Sequence, residues 1–356
     1  MHSTHEIPSA TLQKSLKRIL EILPLRVQIS SHIPKRILVT GGCGFIGSHF
    51  INHYFDANPD CQIINFDAMY YCASETNVRE DIRQSERYQL IKGVLQSHNL
   101  QDVLSWYDID TIIHFAAQSH VQNSFEESLQ YTKDNVLGTH ALLEAARKYG
   151  KIERFIHIST DEVYGESMLD GDNKKTEESV LCPTNPYAAT KAAAELIVQS
   201  YYHSFKMPII ITRGNNVYGP NQYPEKLIPR FLQLLRAGQP VTIQGDGSNK
   251  RAFLHVKDVC RALSRILEKG VLGEIYNVGA DDHHEYSVKE VADRLIALVH
   301  PEYKDENEQH KWITYVEDRP FNDKRYYISN AKVKSLGWEI EMDFEEGLAD
   351  LVDMHL

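Results

Sequence analysis

The run HISTDEVYGE, His157 to Glu166, sets Thr160, Asp161 and Glu162 directly behind the apolar stretch RFIHIS. A strand end has no use for two adjacent acids, but a proton-transfer site does, because one carboxyl can give a proton while the other takes one. That division needs surroundings that push the two pKa values apart. Further on, NPYAATK holds Tyr187 and Lys191 four residues apart, a spacing that puts both on one face of a helix. Pro186 suits the first helical position, with Thr184 or Asn185 available as cap. An ammonium close to a phenol lowers its pKa, so Tyr187 is expected to act as a base towards a hydroxyl.

A second kind of chemistry is written in RILVTGGCGFIGSHF, residues 36–50. Gly42, Gly44 and Gly47 fit G-x-G-x-x-G, and Gly41, Gly44 and Gly47 fit G-x-x-G-x-x-G. Either frame makes a tight turn, lets backbone N–H groups approach a pyrophosphate, and lets a helix pack close to the sheet. The positive end of that helix then faces the anion. Asp67 ends the next apolar run, 20 residues after Gly47. An acid there accepts hydrogen bonds from ribose hydroxyls and repels an extra 2′-phosphate, which favours NAD over NADP.

The elements that must position these residues are legible in the pattern. RILVT (36–40), QIINFD (62–67), TIIHFAA (111–117), RFIHIST (154–160) and PIIITR (208–213) read as strands buried on both faces. Helical stretches such as NVLGTHALLEAARKYG (135–150) and NPYAATKAAAELIVQSYYHSF (185–205) lie between them. Alternation of this kind indicates a parallel sheet covered on both sides. The fold class is α/β: a Rossmann-type doubly wound parallel sheet with a smaller, interleaved C-terminal substrate-binding lobe. Residues 35–215 are expected to form the NAD-binding domain. Segments near 251–285, RAFLHVKDVCRAL and EIYNVG among them, are expected to return to its sheet, and 216–356 to form mainly the second lobe. The polar, aromatic stretch 306–327 has the composition of a ligand-facing surface.

Residues 1–34 differ in character. TLQKSLKRILEIL carries Leu12, Leu16, Ile19, Leu20 and Leu23 at helical spacing, but Glu6 and Glu21 break the acid-poor pattern of a targeting peptide. An extension that packs on the body or frays is the expectation. The net charge of −11 speaks against nucleic-acid or membrane-surface binding. Five scattered cysteines with no C-x-x-C pair fit reduced thiols and a cytoplasmic protein.

In combination, the glycine loop, Asp67, a threonine ending a later strand and Y-x-x-x-K on the next helix resemble the extended short-chain dehydrogenase/reductase family. The resemblance runs from about Lys35 to at least Tyr327. Within it, STDEVYG, FAAQSHV, NPYAATKAAAE, NVYGPNQYPEKLIPRF and VEDRPFNDKRY look like the nucleoside-diphosphate-glucose 4,6-dehydratases acting on dTDP-glucose or UDP-glucose. The resemblance implies NAD as cofactor, a nucleotide-sugar substrate, no metal, a homodimer and rhamnose as a destination.

It also implies roles. Tyr187 takes the O4 proton, with Thr160 hydrogen-bonded to the reacting oxygen and Lys191 beside them; Glu162 removes the C5 proton; Asp161, held protonated, donates to the departing C6 hydroxyl. Gly41, Gly44, Phe45, Ile46, Gly47, Asp67, Val94, Leu95, Ala116, Ala117, Ser119, Tyr187 and Lys191 are implied as cofactor contacts. Asn216, Lys226, Leu227, Arg251, Asn277, Arg319 and Asn322 are implied for the nucleotide-sugar. Val94 and Leu95 stand where the family usually has Asp-Ile, and Gln122 and Ala252 where Asp is usual; these departures bear on cofactor affinity rather than on reaction class. A UDP-glucuronate decarboxylase or UDP-sugar 4-epimerase is the alternative, with Asp161 as discriminator. A non-catalytic NAD-binding sensor needs none of the five reactive residues.

Overall fold

The computed structural model describes residues 31–96, 99–167, 174–282, 284–302, 310–318 and 323–354. The amphipathic stretch near the N-terminus lies outside them, as do Arg319 and Asn322. Seven strands form one parallel sheet: β1 (Arg36–Thr40), β2 (Gln62–Asp67), β3 (Tyr88–Lys92), β4 (Thr111–His114), β5 (Arg154–Thr160), β6 (Ile209–Gly214) and β10 (Ile275–Val278). Their spatial order is β3-β2-β1-β4-β5-β6-β10. The order reverses between β1 and β4, and in such sheets the crevice beyond the strand C-termini at that point is the ligand site.

Alternation along the strands supplies both faces. Ile37, Val39, Ile63, Ile113 and Ile156 pack with helix α1 (Phe45–Ala57) and, through Val259, Leu263 and Ile266, with α6 (Val256–Lys269). Leu38, Ile64, Ile112 and Phe155 point the other way. They meet α2 (Leu100–Trp106), α3 (Gly138–Tyr149) and α4 (Pro186–Phe205). Strands with both faces covered read as unbroken apolar runs, which is why they were visible in the sequence.

A separate apolar core belongs to the second lobe. It joins Ile228, Phe231 and Leu235 of α5 (Leu227–Arg236), Val291 and Leu295 of α7 (Val288–Val299), and Phe344 and Leu348 of α8 (Phe344–Asp353). Two small sheets accompany them: β7 (Asn216–Tyr218), β9 (Lys250–His255) and β11 (Glu285–Ser287) in one, β8 (Val241–Gln244) and β12 (Ile313–Val316) in the other.

The expected return to the main sheet is therefore corrected in part. EIYNVG returns, as β10 paired with β6, but RAFLHV does not. It forms β9, parallel to β7 and antiparallel to β11, and reaches the main core through Leu254 and the helix that follows. TIIHFAA also stops short as a strand, at His114. Beyond it the Gly41 turn comes so close that a Cβ there would lie 2.7 Å from Ala116 N. Among the described residues no helix is long and apolar enough to cross a membrane.

Candidate active site

The C-terminal ends of β1, β2, β4 and β5 open into a cleft of about 330 Å³. Gly41, Gly44, Phe45, Ile46, Gly47, Asp67, Val94, Leu95, Ala116, Ala117 and Ser119 all line it. Of the two glycine frames, Gly41-Gly44-Gly47 faces the cleft. Gly42 turns underneath, where a Cβ would lie 2.3 Å from Asn65 Oδ1. Gly41 holds φ +73°, a left-handed conformation that suits glycine, and a Cβ on Gly47 would sit 2.4 Å from Gly41 O. Gly44 is the N-cap of α1, with no side chain bonded into the helix end. The first-turn N–H groups lack intrahelical acceptors and are left for an anion. Asp67 is buried and fixed by Cys43 N–H (2.9 Å) and Met69 N–H (2.8 Å). Burial raises its pKa. The set fits a dinucleotide with a free ribose 2′-hydroxyl.

At the far end of the same cleft stand Thr160, Glu162, Tyr187 and Lys191, with Asp161 buried just behind them. Thr160 ends β5 and caps the short helix Asp161–Tyr164, its Oγ1 accepting from Glu162 N–H at 3.3 Å. This turn sends the neighbouring acids into different surroundings. Asp161 Oδ2 accepts from Asn215 Nδ2 at 2.6 Å, and burial, followed by the Glu162 charge, raises its pKa to about 7. Glu162 Oε2 accepts from Asn185 Nδ2 at 2.9 Å. Burial raises Glu162 as well, against the opposing pull of Asn185 and the Lys226 and Arg251 charges.

Tyr187 and Lys191 share the face of α4 that the spacing predicts, but their expected electrostatic coupling is corrected. Lys191 Nζ donates to Ile158 O at 2.7 Å, and burial lowers its pKa to about 8. The Tyr187 phenol is pushed up, first by burial and then by the Glu162 charge, while a hydrogen bond with Thr160 works the other way. The dense packing that holds the pair also removes the water that would stabilise a phenolate.

On the substrate side, Asn216 and Lys226 line the cleft, and Lys226 Nζ donates to Ser119 O at 2.7 Å. Arg251 lies with its guanidinium 5.2 Å from the Tyr326 ring centroid, close enough to act on both acids. Leu227 is partly buried against the second core. Asn277 is a further correction. It is fully buried in β10, accepts from Tyr164 Oη at 2.8 Å and donates to Lys175 O, so its amide supports the Asp161–Tyr164 turn from behind and does not reach the cleft. Gln122 and Ala252 are also outside the cleft lining, whereas Val94 is part of it.

Two functional amides escaped the sequence reading. Asn215 follows β6, and its Oδ1 accepts from Ala280 N–H at 3.0 Å, which turns its Nδ2 towards Asp161. Asn185 does two jobs: Oδ1 caps α4 through Ala188 N–H, while Nδ2 holds Glu162. The cap was legible from Pro186, but the second bond depends on where β5 ends.

Residues 38–351 match the model of a family described as GDP-mannose 4,6 dehydratase. The chain belongs to that family. Among its relatives, a mouse dTDP-D-glucose 4,6-dehydratase is 45% identical over 322 residues, covering 90% of this chain and 88% of the mouse protein. An Arabidopsis thaliana trifunctional UDP-glucose 4,6-dehydratase, 3,5-epimerase and reductase is 46% identical over 330 residues. That match takes in 92% of this chain but 48% of the plant protein, so the chain spans about half the length of its plant relatives. In structure, the chain superposes on a Bacillus anthracis dTDP-glucose 4,6-dehydratase solved with NAD. The TM-score is 0.80 at 38% identity, over 90% of this chain and 96% of the other. A Thermotoga maritima UDP-glucose 4-epimerase gives a TM-score of 0.79 at 27% identity, covering 90% and 98%.

Proposed function

We propose that this chain is an NAD-dependent nucleoside-diphosphate-glucose 4,6-dehydratase acting on dTDP-glucose or UDP-glucose. The product is the 4-keto-6-deoxy sugar nucleotide, an intermediate suited to rhamnose formation. The single observation that carries this reading is the placement of Asp161 and Glu162. They are adjacent in sequence, held by different amides beside Tyr187, and burial raises the Asp161 pKa to about 7. A 4-epimerase needs no such pair. The two named relatives that carry 4,6-dehydratase activity, at 45% and 46% identity, agree with it.

NAD held in the cleft would supply the acceptor for the C4 hydride and its return to C6, and in its oxidised form a positive charge that favours a phenolate. The chain's own residues handle the protons. Tyr187 Oη takes the proton from O4, with Thr160 bonded to the same oxygen and Lys191 behind. A ketone at C4 acidifies the C5 hydrogen, which Glu162 removes. Asp161, its pKa raised to about 7 and therefore half protonated there and more so at lower pH, gives its proton to the C6 oxygen, and water leaves. Glu162 then returns its proton to C5. No net redox change results.

Asn216, Lys226, Leu227, Arg251, Arg319 and Asn322 are assigned to the nucleotide-sugar. The arginines suit a diphosphate because the guanidinium fork matches its oxygens. Gly41, Gly44, Phe45, Ile46, Gly47, Asp67, Val94, Leu95, Ala116, Ala117 and Ser119 hold the dinucleotide.

Mass spectrometry of dTDP-glucose and UDP-glucose after incubation with the protein tests the reading. The expected result is loss of one water, abolished in the Asp161→Asn, Glu162→Gln double variant. Unchanged mass together with interconversion at C4, or decarboxylation of UDP-glucuronate, would overturn it.

A further inference from the structure

The mouth of the cleft is bridged by a segment of which the chemistry above uses only Lys226. Residues 219–226 run from the second lobe across the opening, and Gln222, Tyr223, Glu225 and Lys226 line the cleft from that side. Tyr70, Cys72 and Ala73, from the loop that begins at Asp67, line it from the other. Both ends of the crossing segment are tied to the dinucleotide domain. His49 Nε2 lies 2.8 Å from Pro220 O, and Lys226 Nζ reaches Ser119 O.

Between these ties sits Glu225. Its side chain is only 13% exposed, its Oε2 accepts from Tyr71 Oη at 2.6 Å, and the same oxygen is 3.7 Å from His120 Nδ1. Tyr71 also packs edge-on against Tyr223, with ring centroids 5.3 Å apart. One carboxylate thus joins three loops: the one after β2, the one after β4 and the crossing segment. An acid lining a cleft meant for a diphosphate is a poor ligand contact. Its committed oxygen points to fastening instead.

We propose that Glu225, bonded to Tyr71 across the mouth, is a latch that retains the dinucleotide between removal of the hydride and its return. This inference rests on the NAD reading above. The reaction makes retention matter: a reduced cofactor that leaves early takes with it the hydride that C6 needs. Glu225 and Tyr71 are therefore positioning residues, acting through closure of the cleft.

The test measures release of NADH from the full chain by stopped-flow fluorescence, with excess NAD⁺ as competitor. Glu225→Gln and Tyr71→Phe are each expected to release NADH about tenfold faster, the effect of losing one charge-assisted hydrogen bond. The double variant is expected to release it no faster than the worse single, because both remove the same bond. During turnover the variants are expected to leak NADH into solution, visible as near-ultraviolet absorbance outlasting the substrate. Release at the wild-type rate from variants that still bind NADH would overturn the latch and leave the cofactor reading intact. A wild-type protein that binds no NADH would overturn both. Should Glu225→Gln fail to fold, Tyr71→Phe carries the test, since Tyr71 is half-exposed at the rim.

Discussion

Two side-chain amides decide what the reactive carboxyls can do. Asn215 donates to Asp161 and so favours its carboxylate, in opposition to burial and the Glu162 charge. In the proposed reaction Asp161 works protonated, so the rate is expected to fall as pH rises through about 7. On the acid side the rate falls when Glu162, itself raised, takes up a proton. Asn215→Leu removes the donor that stabilises charged Asp161. The Asp161 pKa then rises further, and the alkaline limb of the kcat profile moves to higher pH by about one unit. The same change orphans Ala280 N–H and costs on the order of 1–3 kcal/mol in stability. A pH–rate profile with an unmoved alkaline limb would separate Asn215 from the acid step.

At the scale of elements, the site exists because a strand end, a one-turn helix and a long helix meet. The start of α4 fixes that meeting: Asn185 caps the helix with one atom and holds Glu162 with another. Serine keeps the first function without the second. Asn185→Ala is expected to lose about 1 kcal/mol of stability as well as activity, whereas Asn185→Ser keeps its melting temperature and still loses activity. Thermal unfolding and initial rates on both variants check this, and equal activity loss with unequal stability is the expected pattern. The cap, the proline and the Tyr187–Lys191 spacing were readable because helix starts and i, i+4 faces are local facts. The second bond of Asn185 was not, because Glu162 lies 23 positions earlier and arrives through the parallel sheet.

For the molecule as a whole, a segment from beyond residue 215 completes the main sheet. β10 comes after most of the second lobe in sequence, yet it pairs with β6 as an edge of the main sheet, and α6 fills one face of its core. A fragment ending at residue 215 leaves the β6 edge unpaired and the apolar face under α6 uncovered, which is a template for aggregation. Residues 31–215 alone are expected to show no cooperative thermal transition by circular dichroism, while the full chain does. A cooperative melt of the fragment would make the first domain autonomous.

The sequence by itself determined what depends on neighbours along the chain. Its apolar runs specify strands buried on both faces. The glycines of residues 41–47 specify a tight turn ahead of a helix, and STDEVYG with Y-x-x-x-K marks the residue types of the proposed reactive set. Tertiary structure alone decided what depends on distant partners: which glycine frame faces the cleft, that Asn277 turns to Tyr164, and that β9 joins β7. It also decided that Tyr187 is pushed up where its lysine neighbour suggested the reverse. Desolvation and long-range charge belong to the packed volume around a group, and four residues of spacing carry no record of that volume.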